Sequence, residues 1–219
     1  MTPGTLTSLL AHLDSSVARA VLVRIGASAE LSCLLDVVEG SAARISELVR
    51  TVKGYTSMDR GPVQNVDVAR SLETTLGTLA HSLQPGIKVQ RAYEPVPLLV
   101  NTVGTELNQV WTNIIENAID AMPDGGELRV RTFRQDQYVV VEIGDSGPGI
   151  PSEIKPYIFD PFFTTKGVGE GTGLGLNTVQ TIVRKFGGNI QVSSEPGDTR
   201  FQVWIPWADP IEFGKQHDG

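Results

Sequence analysis

The stretch "DPFFTTKGVGEGTGLGL" (Asp160–Leu176) places glycine on alternate residues, at Gly167, Gly169, Gly171, Gly173 and Gly175. A phosphate cradle, a lid and a plain linker can all be written this way. It is not Gly-x-x-x-x-Gly-Lys-Ser/Thr, because no Gly-Lys-Ser/Thr occurs in the chain. It is not Gly-x-Gly-x-x-Gly, because the glycines alternate throughout. A linker would not carry "PFFTTK" ahead of it. Phe162 and Phe163 want burial, while Thr164, Thr165 and Lys166 can meet phosphate oxygens. The run closes on "GLGL" (Gly173–Leu176) at the start of an amphipathic pattern, and the free N–H groups of a helix start attract anions. The stretch therefore reads as an anchored, mobile lid leading into a phosphate-binding helix end.

Working outward, residues 174–186 read as a helix with Leu176, Val179, Val183 and Phe186 on one face and Gly187-Gly188 as its stop. Residues 104–122 form a second amphipathic helix. Leu107, Val110, Trp111, Ile114, Ile115, Ala118 and Met122 share its apolar face, and Asn113, Glu116, Asn117 and Asp120 lie opposite. Asparagine is a poor helix-interior residue, because its amide competes for backbone hydrogen bonds. Two of them one turn apart need a reason, and a hard cation held by amide and carboxylate oxygens is one; a solvated face is the other. "DSGPGI" (Asp145–Ile150) follows the strand "YVVVEIGD" (138–145). It is either a tight turn or a pocket rim where glycines let a ligand approach the backbone.

The remaining pattern is helix at 68–83, strands at 87–94, 96–100, 127–133 and 138–145, and a last hairpin of "NIQVSS" and "TRFQVWIP" across "EPGD". "DRGPVQ" (59–64) reads as a linker. Grouped strands with long helices predict an α+β fold rather than alternating βαβ units.

In order, "NIIENAIDAM", "DSGPGI", "DPFFTTK" and "GTGLGL" resemble the N, G1, F and G2 boxes of the histidine-kinase catalytic domain. That domain belongs to the gyrase, heat-shock-chaperone, histidine-kinase and mismatch-repair ATPase superfamily. The resemblance covers about 64–206 and implies a two-layer α/β sandwich of the Bergerat type that binds ATP with Mg²⁺. It implies that Asn117 ligates the metal, with Asn113 beside it and Asp120 and Ala121 completing the box. Asp145 would accept from the adenine amino group, with Gly147, Gly149 and Ile150 along the base. Phe163, Thr164, Lys166, Gly171, Thr172, Gly173, Leu174, Gly175 and Leu176 would line the phosphate side. Thr199 resembles the distal residue that supports adenine recognition. Hydrolytic members carry a glutamate one turn before the metal-ligating asparagine. Here that position is Asn113, so phosphoryl transfer to a side chain is favoured over hydrolysis.

Residues 1–58 read as a helical hairpin or bundle segment. Val38, Ala42, Ile45, Val49 and Val52 are spaced four, three, four and three, a heptad-like stripe suited to a homodimer seam or to packing on the chain's own C-terminal part. "ARISELVRTVKGYTSMD" resembles the end of a dimerisation helix. The family's phosphoacceptor histidine is followed by an acid and later a proline. His12 is the candidate here, yet Leu13 stands in the acid's place, Asp14 comes one residue late and no proline follows. His81 falls inside the catalytic region and His217 in the tail, 207–219. Three readings stay open: an ATP-dependent histidine kinase of two-component signalling with a response-regulator receiver as partner; a degenerate kinase using ATP as a switch; and a serine/threonine kinase of the anti-sigma-factor type, against which the hairpin argues.

Composition bounds these readings. The 219 residues are 40% hydrophobic, enough for a real core. A net charge of −7 argues against nucleic acid or an anionic membrane surface as the main partner. The single cysteine, Cys33, fits a reducing compartment. No apolar run is long enough to span a membrane, and "MTPGTLTSLL" does not read as a secretory signal. The expectation is a cytoplasmic protein or a cytoplasmic piece of a larger one.

Overall fold

The computed structural model describes residues 62–83, 86–167 and 171–208, together with Val17, Arg19, Val23, Arg24, Ile25, Ser28 and Leu31, which are helical. The heptad stripe, His12, the segment 43–59 and the tail from 209 lie outside the described residues. The chain divides into two compact units, Met1–Val52 with Lys166–Gly171, and Lys53–Thr165 with Thr172–Gly219.

In the second unit the strands are β1 (Gln64–Asp67), β2 (Ile87–Ala92), β3 (Leu99–Thr102), β4 (Gly126–Gln135), β5 (Tyr138–Asp145), β6 (Asn189–Glu195) and β7 (Asp198–Pro206). The helices are α1 (Val68–Thr78), α2 (Gly104–Asp120) and α3 (Gly175–Lys185). Five strands form one sheet in the order β2-β4-β5-β7-β6, and β1 pairs with β3 in a separate two-stranded sheet. β2 runs parallel to β4, and the other pairs of the large sheet are antiparallel.

The helices cover one face of this sheet. Leu107, Val110, Trp111, Ile114 and Ile115 of α2 are fully buried, in one core with Leu128, Val130, Val139, Val141, Ile143 and Val203 from the strands. Trp111 is the largest side chain there, and its indole N–H donates to Ser71 Oγ of α1 at 3.0 Å. Ser71 in turn donates to Asn108 Oδ1 at 2.6 Å, so every polar atom of this contact has a partner. Val179, Ile182 and Val183 bring α3 into the same core. α2 and α3 run antiparallel: Lys185 at the end of α3 pairs with Glu106 in the first turn of α2 at 2.6 Å. Both charges sit at the helix end whose dipole they complement.

Most elements agree with the sequence reading, and the differences have local causes. The linker expected over 59–64 overlaps β1 only at Gln64, and the rest of that strand carries no sequence signal of its own. Its four residues take strand geometry by pairing with β3, from Gln64 opposite Thr102 to Asp67 opposite Leu99. Asp67 then caps α1, accepting from Ala69 N–H at 3.0 Å. The helix predicted over 68–83 ends at Thr78 and tightens into a 3₁₀ turn at Leu79–His81, where a His81 ring nitrogen contacts Thr78 O. The strand predicted over 96–100 starts only at Leu99, after Pro95 and Pro97. The gap between the strands expected over 127–133 and 138–145 shrinks to Asp136-Gln137, with Asp136 at φ 53°.

Ile114→Ala is expected to lower unfolding free energy by about 2–5 kcal/mol, because the cavity it leaves lies in the common core. Lys185→Ala is expected to cost less than about 1 kcal/mol, because its pair with Glu106 is largely solvated. Urea denaturation of both variants checks the contrast.

Candidate functional site

Asp145 is the last residue of β5 and is only 4% exposed. Its Oδ1 accepts the Gly147 N–H at 2.9 Å, which starts the turn. Burial pushes the Asp145 carboxyl above the usual carboxylate range, against the lowering effect of the Gly147 N–H and the Arg129 charge. Arg129 reaches behind it from β4, donating to Asp145 O at 3.3 Å and pairing with Asp198 of β7.

The loop after Asp145 is gripped on both sides. A Cβ at Gly147 would stand 2.9 Å from Ala121 O, at the end of α2. A Cβ at Gly149, where φ is 84°, would meet the Glu195 backbone at 2.9 Å. Gly197 N–H donates to Gly147 O at 2.8 Å, and Ile150 N–H donates to Ser194 Oγ at 2.8 Å. Thr199 stands directly across from Asp145 in the β5–β7 register and is 3% exposed. Its hydroxyl shares a 2.8 Å hydrogen bond with Ser194.

The polar face of α2 is not uniform. Asn113 and Asn117 are half-buried, whereas Glu116 and Asp120 are exposed. Asn113 Nδ2 donates to Gly175 O at 3.2 Å, on the first residue of α3. Asn117 therefore lies one turn from the Asn113 contact with α3 and one turn from the Ala121 contact with the Asp145 loop. This single face of α2 joins the two ends of the candidate site.

No side chain caps the start of α3, which leaves its first N–H groups for a ligand. The turn ahead of it crosses the segment Phe159–Phe163 at close range. Gly173 has φ 70°, and a Cβ there would fall 2.4 Å from Phe162 C. Phe162 N–H donates to Gly173 O at 2.9 Å, and Asn177 Nδ2 donates to Phe159 O at 3.1 Å. The expectation that both phenylalanines are buried fails at Phe162. It adopts φ 68° to make the Gly173 bond and is 63% exposed, while Phe163 and Leu176 pack against the core. Leu174 is buried, Thr172 Oγ1 accepts the Leu174 N–H at 3.4 Å, and Thr164 is exposed. Lys166, exposed, and Gly171 fall in the other unit.

These features fit an adenine nucleotide. A buried carboxylate at a strand end can accept from an exocyclic amine, glycines leave no Cβ in the way, and an uncapped helix start can receive phosphate. Among the described residues no group of three His, Cys, Asp or Glu side chains could hold a metal unaided.

Residues 102–209 match the family described as "Histidine kinase-, DNA gyrase B-, and HSP90-like ATPase". Residues 102–209 thus form a domain of this ATPase family. ATP binding is the shared property that membership implies. The sensory histidine kinase/phosphatase NtrB of Rhodobacter capsulatus is 30% identical over 93% of this chain and 62% of its own length. Sensor kinase CckA of Brucella abortus is 42% identical over 46% of this chain and 12% of its own. The chain thus spans less than two thirds of the curated relatives it matches. The solved catalytic domain of histidine kinase ThkA is 28% identical with a TM-score of 0.61, over 67% of this chain and 96% of that one. No helix among the described residues is long and apolar enough to cross a membrane.

Three residues of this candidate site were not singled out in the sequence. Asn177 and Arg129 act on backbone carbonyls and leave no motif. Ser194 was open to inference, because the "EPGD" turn sets it opposite Thr199.

The raised carboxyl of Asp145 has a signed consequence. The unfolded chain loses this proton at lower pH than the folded one, so the group opposes folding increasingly as pH rises past the ordinary carboxylate range and fully above its folded value. Asp145→Asn should be at least as stable as wild type at pH 7, and its advantage should shrink as pH falls toward the ordinary carboxylate range. Thermal melts of both proteins across pH 4–7 check this; a large loss of stability at neutral pH would contradict it.

Proposed function

We propose that this chain is the nucleotide-binding and dimerising part of an ATP-dependent protein-histidine kinase of two-component signalling. The observation that carries the reading is the Asn113 amide donating to Gly175 O. The position one turn before Asn117 thus holds a structural amide, not a carboxylate able to draw a proton from water. A site that binds ATP without a water-activating base is suited to transfer rather than hydrolysis.

In this reading Asp145 accepts from the adenine amino group, with Thr199 beside it and Gly147, Gly149 and Ile150 along the base. Asn117 offers its side-chain oxygen to a Mg²⁺ ion, whose charge would offset that of the phosphates. Asn113 holds the start of α3 in place. The N–H groups from Gly173 to Leu176, with Thr164 and Thr172, meet the phosphate chain. The bond between the β-bridging oxygen and the γ-phosphorus breaks, a phosphorus–nitrogen bond forms on an imidazole, ADP leaves and the imidazole proton passes to solvent. His12 is the acceptor proposed within the chain. Residues 1–58 are proposed as the dimerisation region, 64–206 as the catalytic domain and 207–219 as a tail. A receiver domain of a response regulator is the proposed next acceptor, and the cytoplasm the proposed compartment.

Incubation with γ-labelled ATP and Mg²⁺ tests the reading. Acid-labile label on the wild type, lost in His12→Ala, is the expected result; nucleotide binding with no label on this chain or on an added receiver would contradict it. A second expectation concerns the metal. Wild-type affinity for ATP should rise on adding Mg²⁺, whereas Asn117→Ala should bind ATP with the same weak affinity with and without it. Calorimetry with and without a chelator measures both.

A further inference from the structure

Ser194 lies outside the boxes that drew attention to the site, yet it touches two residues of that site and the neighbouring Lys155. Its Oγ takes the Ile150 N–H at 2.8 Å, fixing the end of the Asp145 loop. The same Oγ lies 2.8 Å from Thr199 Oγ1. Its carbonyl accepts from Lys155 Nζ at 2.5 Å. Ser194 is 6% exposed and Thr199 3%, so neither hydroxyl has water in reserve.

A hydroxyl has one proton and two lone pairs. The Ile150 N–H occupies one lone pair of Ser194, which leaves two arrangements of the Ser194–Thr199 bond. If Thr199 donates, the Ser194 proton is left without an acceptor, because among the described residues Ser194 Oγ meets only Ile150 N–H and Thr199 Oγ1. A buried donor left unmade is costly. Either arrangement leaves one of the two protons unmet in the free protein. If Ser194 donates, the unmet proton is on Thr199, the residue paired with Asp145 across the sheet, where a base held by Asp145 can accept it.

We propose that Ser194 is a positioning residue for base specificity: by donating to Thr199 Oγ1 it turns the Thr199 proton toward the ring-nitrogen acceptor that adenine presents beside its amino group. This rests on the reading of Asp145 and Thr199 as the pair that meets the base. Carboxylate and hydroxyl together then offer an acceptor next to a donor. Adenine matches that order with its amino group and N1; guanine presents the reverse.

The test is calorimetric titration of ADP and of 1-deaza-ADP, in which ring nitrogen N1 is replaced by C–H, into wild type, Ser194→Ala, Ser194→Cys and Thr199→Val. Wild type should prefer ADP. Ser194→Ala should lose about three- to tenfold more affinity for ADP than for 1-deaza-ADP, the range one hydrogen bond supplies. The ratio of the two affinities should fall to that of Thr199→Val. Ser194→Cys, close in volume and a weak donor, should fall the same way and serves if the alanine variant does not fold. Equal weakening of both nucleotides would mean Ser194 merely supports the loop and would overturn the proposal, as would no change for either. Wild type binding ADP without preference over 1-deaza-ADP overturns the proposal alone; wild type binding neither removes the nucleotide reading beneath it.

Discussion

Ala121, at the end of α2, lies so close to Gly147 that a Cβ there would stand 2.9 Å from its carbonyl oxygen. The loop after β5 depends on that approach, because it presses the Asp145 turn against the helix that carries Asn113 and Asn117. Two further crossings obey the same constraint, Gly149 against Glu195 and Gly173 against Phe162. In each, main chain meets main chain with no room for a side-chain carbon. Contacts of this kind define position more sharply than side-chain packing does, since there are no rotamers to adjust. The glycines of the boxes thus serve the fold at least as directly as they serve a ligand.

α2 is the element that turns this geometry into a site. Its apolar face is sealed under the sheet and fixed to α1 by the Trp111–Ser71 bond. Because that face cannot rotate, the opposite face holds its amides at a set height over α3. The Asn113–Gly175 bond and the Glu106–Lys185 pair then align the two helices along their length. The first bond belongs to the site and is half-buried; the second is largely solvated and supplies little energy.

What could be read in advance followed the strength of the local signal. The period of Leu107, Val110, Trp111, Ile114 and Ile115 announced α2, and the valine run in 138–145 announced β5 to the residue. The link between Asp145 and Thr199 came only from the family resemblance, and the strand register sets the two opposite each other. β1 was illegible, because four residues carry too short a period and the strand exists only through its pairing with β3. That adjacent strands β2 and β3 would enter different sheets was equally hidden, since nothing local to either encodes its partner. Phe162 misled for a related reason: its composition asks for burial, but the backbone bond to Gly173 decides where the ring points. Ser194 and Arg129 matter through single hydrogen bonds made across the sheet, which leave no pattern along the chain.

The large sheet ends in two open rims, and their writing bears on how copies of this protein meet. β2 presents Lys88, Gln90 and Arg91 to solvent, and β6 presents Asn189, Gln191 and Glu195. Polar rims supply no apolar gain to offset the ordering of a new strand pair, and Lys88 adds a charge that a second copy of β2 would repel. Sheet continuation from one copy to the next is thereby discouraged.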